Sequence, residues 1–267
     1  MMELLEYGFF KNALVGITLL SIASAMIGPY IVSRRLVSIA GGVTHACFGG
    51  LGLGYFLGWN PIVMAGVFAI ASSLGVEWMS TRHHVREDSA VAVVWALGMA
   101  LGVLFVFLTP GYVPELNAFL FGNILTITGA DLWAFAIFTA VVISAFALFY
   151  NIIVACAFDA DFARVKRLPV AAVSCMMTVL VAVCIVLTIR LVGIMLLMSM
   201  LALPQMIAEI YCRRFKTIMF LSAAVSALCC IVGLLLATII DVPCSALIVI
   251  VMVAVFAVAK ITKAISS

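Results

Sequence analysis

The feature that most constrains this chain is a series of apolar runs, each as long as a membrane-spanning helix. The run over residues 170–210 contains only two charged residues, Arg190 near its middle and Glu209 near its end. It is about twice the length of the roughly 20 residues that one span needs. Apolar residues make up 67% of the 267 residues and charged residues 9%. A soluble domain carries about a quarter charged residues. This composition excludes a soluble globular or disordered chain and predicts an all-α, polytopic membrane protein with one domain over residues 1–267.

Nine stretches have the length and composition of a transmembrane helix. We place the spans at 9–32, 43–58, 61–79, 90–109, 132–157, 170–189, 191–210, 217–239 and 244–260. The 43–58 stretch is short and rich in glycine, so eight spans are the alternative count. The long run is divided at Arg190, where we expect an external turn. Short alternating strands of an outer-membrane barrel do not fit this pattern.

Lysine and arginine are distributed unequally between the two sets of loops. Twelve of the 14 lie in 33–42, 80–89, 158–169, 211–216 and the tail, against only Lys11 and Arg190 in the other set. Cytoplasmic loops of membrane proteins carry the excess of these residues. We therefore expect a multi-pass protein of the cytoplasmic (inner) membrane, with the N-terminus outside and the C-terminus in the cytoplasm. The net charge of +3 does not indicate a nucleic-acid partner, because the cationic residues are concentrated in the loops of one side.

The sequence contains no motif for ATP binding or catalysis. It has no glycine-rich phosphate loop ending in Lys-Ser or Lys-Thr, and no grouping of nucleophile, base and orienting residue. The eight cysteines lie in or beside apolar runs without a Cys-x-x-Cys pair, which is typical of small core residues. We expect no enzyme activity and no covalently bound cofactor, which leaves transport or scaffolding.

One histidine, His45, lies inside a predicted span. At helical spacing it shares a face with Gly41, Gly49 and Gly52. Glycines on that face allow close helix packing or leave an open lane beside the imidazole. His45 is therefore either a structural residue hydrogen-bonded to a neighbouring helix, or a ligand or gate on a metal or proton path.

The segment 159–168 predicts a short amphipathic helix on the cytoplasmic side. Asp159 suits the N-cap, and Phe158, Phe162 and Val165 share one apolar face. Such a helix docks into a groove of a soluble partner or lies on the lipid surface, and the residues alone favour neither. On the external side, residues 115–125 are apolar but too short to span, so we expect a re-entrant or interfacial helix.

Four stretches together resemble the membrane permeases of zinc/manganese/iron ABC importers. They are Arg34-Arg35-Leu36 through His45 to Gly54-Tyr55, Glu87-Asp88-Ser89 leading into Gly98-x-x-x-Gly102, the run Leu116 to Leu125 (Leu-Asn-x-Phe-Leu-Phe-Gly-Asn-Ile-Leu), and Phe158-Asp159 and Ala163 with Val192-Gly193 and Leu203-Pro204. The third run is fairly specific, and the four occur in the family's order between about residues 9 and 260.

This resemblance implies partners as well as a cargo. The partners are two cytoplasmic ATP-binding subunits, an extracytoplasmic metal-binding protein and a second permease copy, and the cargo is a divalent ion (Zn, Mn or Fe). Residues Asp159, Phe162, Ala163 and Val165 would form the helix that couples to the ATPase, His45 would be the metal residue, and Gly193 and Pro204 would be flexible points for gating. Two positions depart from the family: Gly41 replaces a common aspartate, and Arg167 replaces a common glycine.

Three alternatives remain open from the sequence. A secondary, ion-coupled metal transporter would use His45 as a relay and needs no ATPase, although we find no inverted repeat. An ABC permease for a chelated metal would need a wider cavity. A scaffold subunit would tolerate loss of His45. Our preferred hypothesis is an ABC importer permease that moves the ion through a dimer by alternating access.

Overall fold

The computed structural model describes residues 8–83, 85–111, 122 and 127–265, and this part of the chain forms nine helices and no strand. The helices are α1 (Gly8–Ser33), α2 (Val37–Leu57), α3 (Pro61–His83), α4 (Glu87–Leu108), α5 (Gly129–Phe158), α6 (Ala160–Val165), α7 (Val170–Tyr211), α8 (Phe215–Ile240) and α9 (Cys244–Ile265). All except α6 are long and apolar enough to cross a membrane. Because α7 supplies two spans, the described residues contain nine candidates. The predicted all-α polytopic fold and the count of nine are confirmed.

Helix α2 begins earlier than its composition predicts. We expected a loop over 33–42, but the turn between α1 and α2 consists of residues 34–36, and α2 starts at Val37. Arg35 makes this turn possible by adopting a left-handed φ of 58°. The polar Ser38 and the glycines lower the hydropathy of residues 38–42, yet Gly42 is buried against Val91 of α4. Tertiary packing therefore keeps this low-hydropathy stretch helical.

The long helix α7 is interrupted at Gly193 and not at Arg190, so the predicted position of the turn is wrong by three residues. Gly193 has φ 79° and ψ 172°, a conformation that is essentially restricted to glycine. The charged Arg190 lowers the local hydropathy, but it has no intrinsic tendency to break a helix. Only the following glycine can adopt the required backbone angles.

The helices pack in two groups that meet along α7. Helix α2 packs mainly against α4 and α3, whereas α1 packs against α5, α7 and α8. The first group is closely packed because its glycines bring backbones together: Gly98 lies against Ala46, and Gly102 lies against Phe48 and Gly52. The second group is joined to the first chiefly by contacts of α7 with α3 and α2.

The turns that carry most of the cationic residues lie together at one end of the bundle, which we call the basic end (34–36, 85–86, 159–169 and 212–214). Arg34, Glu87 and Arg164 line one cavity there. The ring of Phe158 lies 6.0 Å from that of Phe215. At the opposite end, the amide of Asn12 donates to the carbonyl of Ile127 over 3.2 Å. The loops that the charge distribution assigns to one side of the membrane therefore lie at one end of the bundle.

Candidate functional site

His45 lies in the middle of α2 and is held by aromatic rings. Its imidazole stacks on the indole of Trp95 from α4, with 4.5 Å between centroids and 5° between planes. Phe48, one turn further along α2, lies 6.5 Å away. Stacking fixes the ring plane and does not cover the two ring nitrogens, because the N–H and the lone pair of a neutral imidazole point outward at the ring edge.

The Nδ1 atom of His45 is buried and has no hydrogen-bond partner among the residues that the structure describes. A buried polar atom without a partner is rare and costs roughly 1–3 kcal/mol. The structural interpretation of His45 expects a hydrogen bond from a neighbouring helix, and Nδ1 does not make one. An atom of this kind is suited to receive a ligand that arrives during function.

The glycine face around His45 is filled by neighbouring atoms at Gly49 and Gly52, whereas at Gly41 only a flexible side chain lies against it. A Cβ atom at Gly49 would lie 2.7 Å from the Phe68 ring, and one at Gly52 would lie 2.5 Å from the Gly102 carbonyl oxygen. Beyond His45 towards the basic end, a Cβ at Gly41 would meet the flexible end of the Met198 side chain, with the methyl group at 3.0 Å and the sulfur at 3.8 Å. Gly49 and Gly52 therefore allow close helix packing, and they leave no open space along that part of the face.

Met198 is a site neighbour that the sequence did not predict. Its thioether sulfur lies 3.9 Å from the Thr44 hydroxyl oxygen. That hydroxyl has one proton, which it donates to the Ala40 carbonyl over 2.6 Å. Met198 is on α7, so more than 150 residues separate it from α2, and no local pattern connects them. Trp95 escaped notice for the same reason.

Within the described ranges, no group of three or more His, Cys, Asp and Glu side chains is arranged to hold a metal ion. A resident structural metal usually has four protein ligands. His45 alone supplies fewer ligands than such a site has.

The two predicted flexible points differ in structure. Gly193 breaks α7, and Gly122 packs against it so closely that a Cβ on Gly122 would lie 2.8 Å from the Gly193 Cα. Pro204 lies inside the regular second half of α7. Its missing N–H is replaced by the buried Gln205 amide, which donates to the Met200 carbonyl over 3.2 Å. Gly122 belongs to the segment 115–125, for which the sequence predicts a re-entrant or interfacial helix. The other residues of that segment lie outside the described residues.

We expect Gly193→Ala to destabilise the protein by about 1–3 kcal/mol, because alanine is strained at φ 79° and ψ 172°. Thermal unfolding of the purified protein measures this. Gly66→Ala is the matched control, since its Cβ would have only Val186 nearby, at 3.8 Å. Equal unfolding temperatures for the two variants would contradict a strained break at Gly193.

Helix α6 projects an apolar face from the basic end. Phe162 and Val165 are 52% and 82% exposed, and the preceding Phe158 is 61% exposed. Asp159 is the N-cap, as predicted, and its carboxylate accepts from the Phe162 N–H over 2.8 Å. Ala163 is fully buried, so it anchors the helix from its inner face.

The predicted extent of this helix, 159–168, is too long. Helix α6 ends at Val165 because Arg167 adopts a left-handed φ of 56°. Arg164 is therefore the basic residue of the last turn, and it pairs with Asp161 over 2.7 Å. Lys166 lies beyond the helix, with its ammonium 5.0 Å from the Phe162 ring centroid.

A cavity of about 230 Å³, lined by apolar and charged side chains, lies beside α6 at the basic end. Arg34, Glu77, Glu87 and Arg164 line it, so its charged groups balance. Glu77 accepts hydrogen bonds from Ser174 over 2.9 Å and Thr178 over 3.3 Å, which ties α3 to the start of α7. Glu77 was not singled out from the sequence, although it is an ionisable residue inside the predicted span 61–79. Its hydroxyl partners are on another helix, and no local pattern connects them to it.

Comparison with known proteins places this architecture in a family. Residues 6–263 match the ABC 3 transport family. The chain is 35% identical to a "Probable metal transport system membrane protein" of Chlamydia pneumoniae, over 84% of this chain and 78% of that one. It is 28% identical to the "Manganese transport system membrane protein MntC" of Listeria innocua, over 96% and 91%.

A solved structure has the same fold. It is "PsaBC from Streptococcus pneumoniae in complex with Fab", which superposes with a TM-score of 0.85 at 23% identity and covers 96% of this chain and 92% of that one. The family match spans nearly the whole chain, and the resemblance noted in the sequence is confirmed. This chain belongs to the ABC 3 transport family.

Proposed function

We propose that this chain is the membrane permease of an ATP-driven importer for a divalent transition-metal ion (manganese, zinc or iron). Family membership and the relatives named for metal transport support the class. One observation carries the site: the His45 imidazole is fixed inside a span by Trp95, and its buried Nδ1 has no partner among the described residues. Imidazole is a ligand for zinc, iron and other transition ions.

In this proposal the ion passes near His45 between two copies of the permease. One chain supplies too few donors to strip an ion of its water, which favours a path to which two copies contribute. Alternating access then exposes this path to each side in turn. Gly193 is the natural hinge, because the backbone already departs from helical geometry there.

In this proposal each end of the bundle binds a different partner. The exposed aromatic and aliphatic side chains of α6 would dock into a cytoplasmic ATP-binding subunit, with Phe162 and Val165 as the contact residues. The opposite end would receive the ion from an extracytoplasmic metal-binding protein. The cationic loops then face the cytoplasm, which places the N-terminus outside.

We expect His45→Phe to abolish metal accumulation without preventing assembly. Phenylalanine keeps an aromatic ring against Trp95 but has no nitrogen to bind an ion. The measurement is cellular manganese, zinc and iron by mass spectrometry, in metal-limited cells that lack the chromosomal gene and carry either the wild-type chain or the variant. Restoration of one metal by the wild type alone is the expected result.

The choice of phenylalanine separates a ligand from a packing residue. If His45 only fills space, His45→Phe restores metal accumulation to the wild-type level, and the metal path must lie elsewhere. A wild-type chain that changes none of the three metals would instead favour a chelated-metal cargo. Membrane yield of the variant, measured alongside, shows that any loss is not a folding defect.

A further inference from the structure

We infer that the thioether of Met198 acts together with His45 on the passing ion, and that this pair makes the path select zinc or ferrous iron over manganese. The inference rests on the proposed function and names the ion class of the same site. It is carried by the contact of Met198 with Gly41 and Thr44, together with the unpartnered Nδ1 of His45.

The geometry brings the two donors to one side of α2. Gly41 and His45 are four residues apart and lie on the same helical face. Helical side chains lean towards the N-terminus, so the imidazole leans towards Gly41. The Met198 sulfur would be 3.8 Å from a Cβ at position 41 and is 3.9 Å from the Thr44 hydroxyl. It therefore lies over the turn of α2 towards which His45 points.

The absence of a side chain at Gly41 is what admits the thioether. The Met198 methyl group lies 3.0 Å from the place that a Cβ would occupy, so any larger residue must displace it. Helix α2 also contains no acidic residue. The turn next to His45 thus offers an ion a sulfur atom from α7 and no carboxylate oxygen from α2.

The donor types determine which ions are stabilised. Carboxylate, carbonyl and water oxygens suit manganese, whereas imidazole suits zinc and iron and thioethers favour softer ions. The Thr44 hydroxyl donates its proton to the Ala40 carbonyl, and its neutral oxygen is a weaker ligand for a hard cation than a carboxylate. An ion beside His45 and Met198 meets one nitrogen and one sulfur donor, and manganese gains least from that pair.

The test measures uptake of radioactive zinc, ferrous iron and manganese by cells that carry the complete transporter. Met198→Leu removes the sulfur and nearly conserves volume. We expect zinc and iron uptake at limiting concentration to fall roughly tenfold, in line with the loss of a supporting interaction in a metal site, while manganese uptake stays constant. Met206→Leu, an exposed methionine of the same helix, should leave all three rates unchanged.

A second variant tests the selectivity in the opposite direction. Gly41→Asp displaces the flexible Met198 methyl group and adds a carboxylate, so we expect the ratio of manganese to zinc uptake to rise by about tenfold. A wild-type preference for manganese would overturn the inference. So would equal uptake of all three metals by Met198→Leu and the wild type.

The outcomes separate this inference from the proposed function. If His45→Phe loses uptake but Met198→Leu and Gly41→Asp keep the wild-type metal ratios, the permease assignment stands and the role of Met198 is wrong. If the wild-type complex moves none of the three ions, the proposed function itself fails. Membrane yield of each variant shows that a reduced rate reflects transport and not loss of protein.

Discussion

Replacing Phe162 by aspartate is expected to abolish association of the permease with its ATP-binding subunit and to leave the membrane domain folded. Phe162 is half exposed on α6, so the change costs the isolated permease little, within about 0.5 kcal/mol. In a complex, an aromatic anchor buried at the centre of an interface contributes about 2 kcal/mol or more. A charge in its place adds the cost of an unpaired carboxylate against an apolar groove.

Co-purification of the two subunits after mild solubilisation is the measurement. Val85→Asp is the matched control, because it places the same charge in another exposed turn of the basic end. We expect full recovery of the ATP-binding subunit with Val85→Asp and none with Phe162→Asp. Equal recovery with both variants would mean that α6 lies on the lipid surface and the partner docks elsewhere.

The sequence predicted the exposed side of α6 better than its inner side. Asp159 and the apolar spacing of Phe162 and Val165 are local signals, and the structure confirms the cap and the shared exposed face. The burial of Ala163 depends on packing against the bundle, which local spacing does not contain. The end of α6 depends on Arg167, whose left-handed backbone is uncommon for a residue with a side chain.

The same division holds at the candidate site. His45 could be singled out because an ionisable residue inside a span is uncommon and is functional by default. Its neighbours Trp95 and Met198 belong to α4 and α7, and only the folded bundle brings them to α2. A single sequence shows which residues share one side of a helix, but it does not show which other helix packs against that side.

Replacing Gly52 by alanine is the second change for which we expect a large effect, this time on folding. A Cβ atom at position 52 would lie 2.5 Å from the Gly102 carbonyl oxygen and 2.9 Å from the Gly102 Cα. Both are backbone atoms, so no side chain can rotate away and α2 must separate from α4. Overpacking typically costs about 1–3 kcal/mol, and a clash with rigid backbone belongs at the upper end of that range.

Gly75→Ala provides the matched control, because a Cβ there would have no atom within 4 Å among the described residues. Alanine in a helix interior is favoured over glycine by roughly 0.5–1 kcal/mol, so Gly75→Ala should raise the unfolding temperature. Gly52→Ala should lower it and reduce the yield of folded protein in the membrane. The same added methyl group is thus expected to lower the unfolding temperature at Gly52 and to raise it at Gly75.

If Gly52→Ala unfolds at the same temperature as Gly75→Ala, then α2 and α4 do not pack as closely as their glycines indicate. In that case the stacking of Trp95 on His45, which depends on the same approach of the two helices, loses its support.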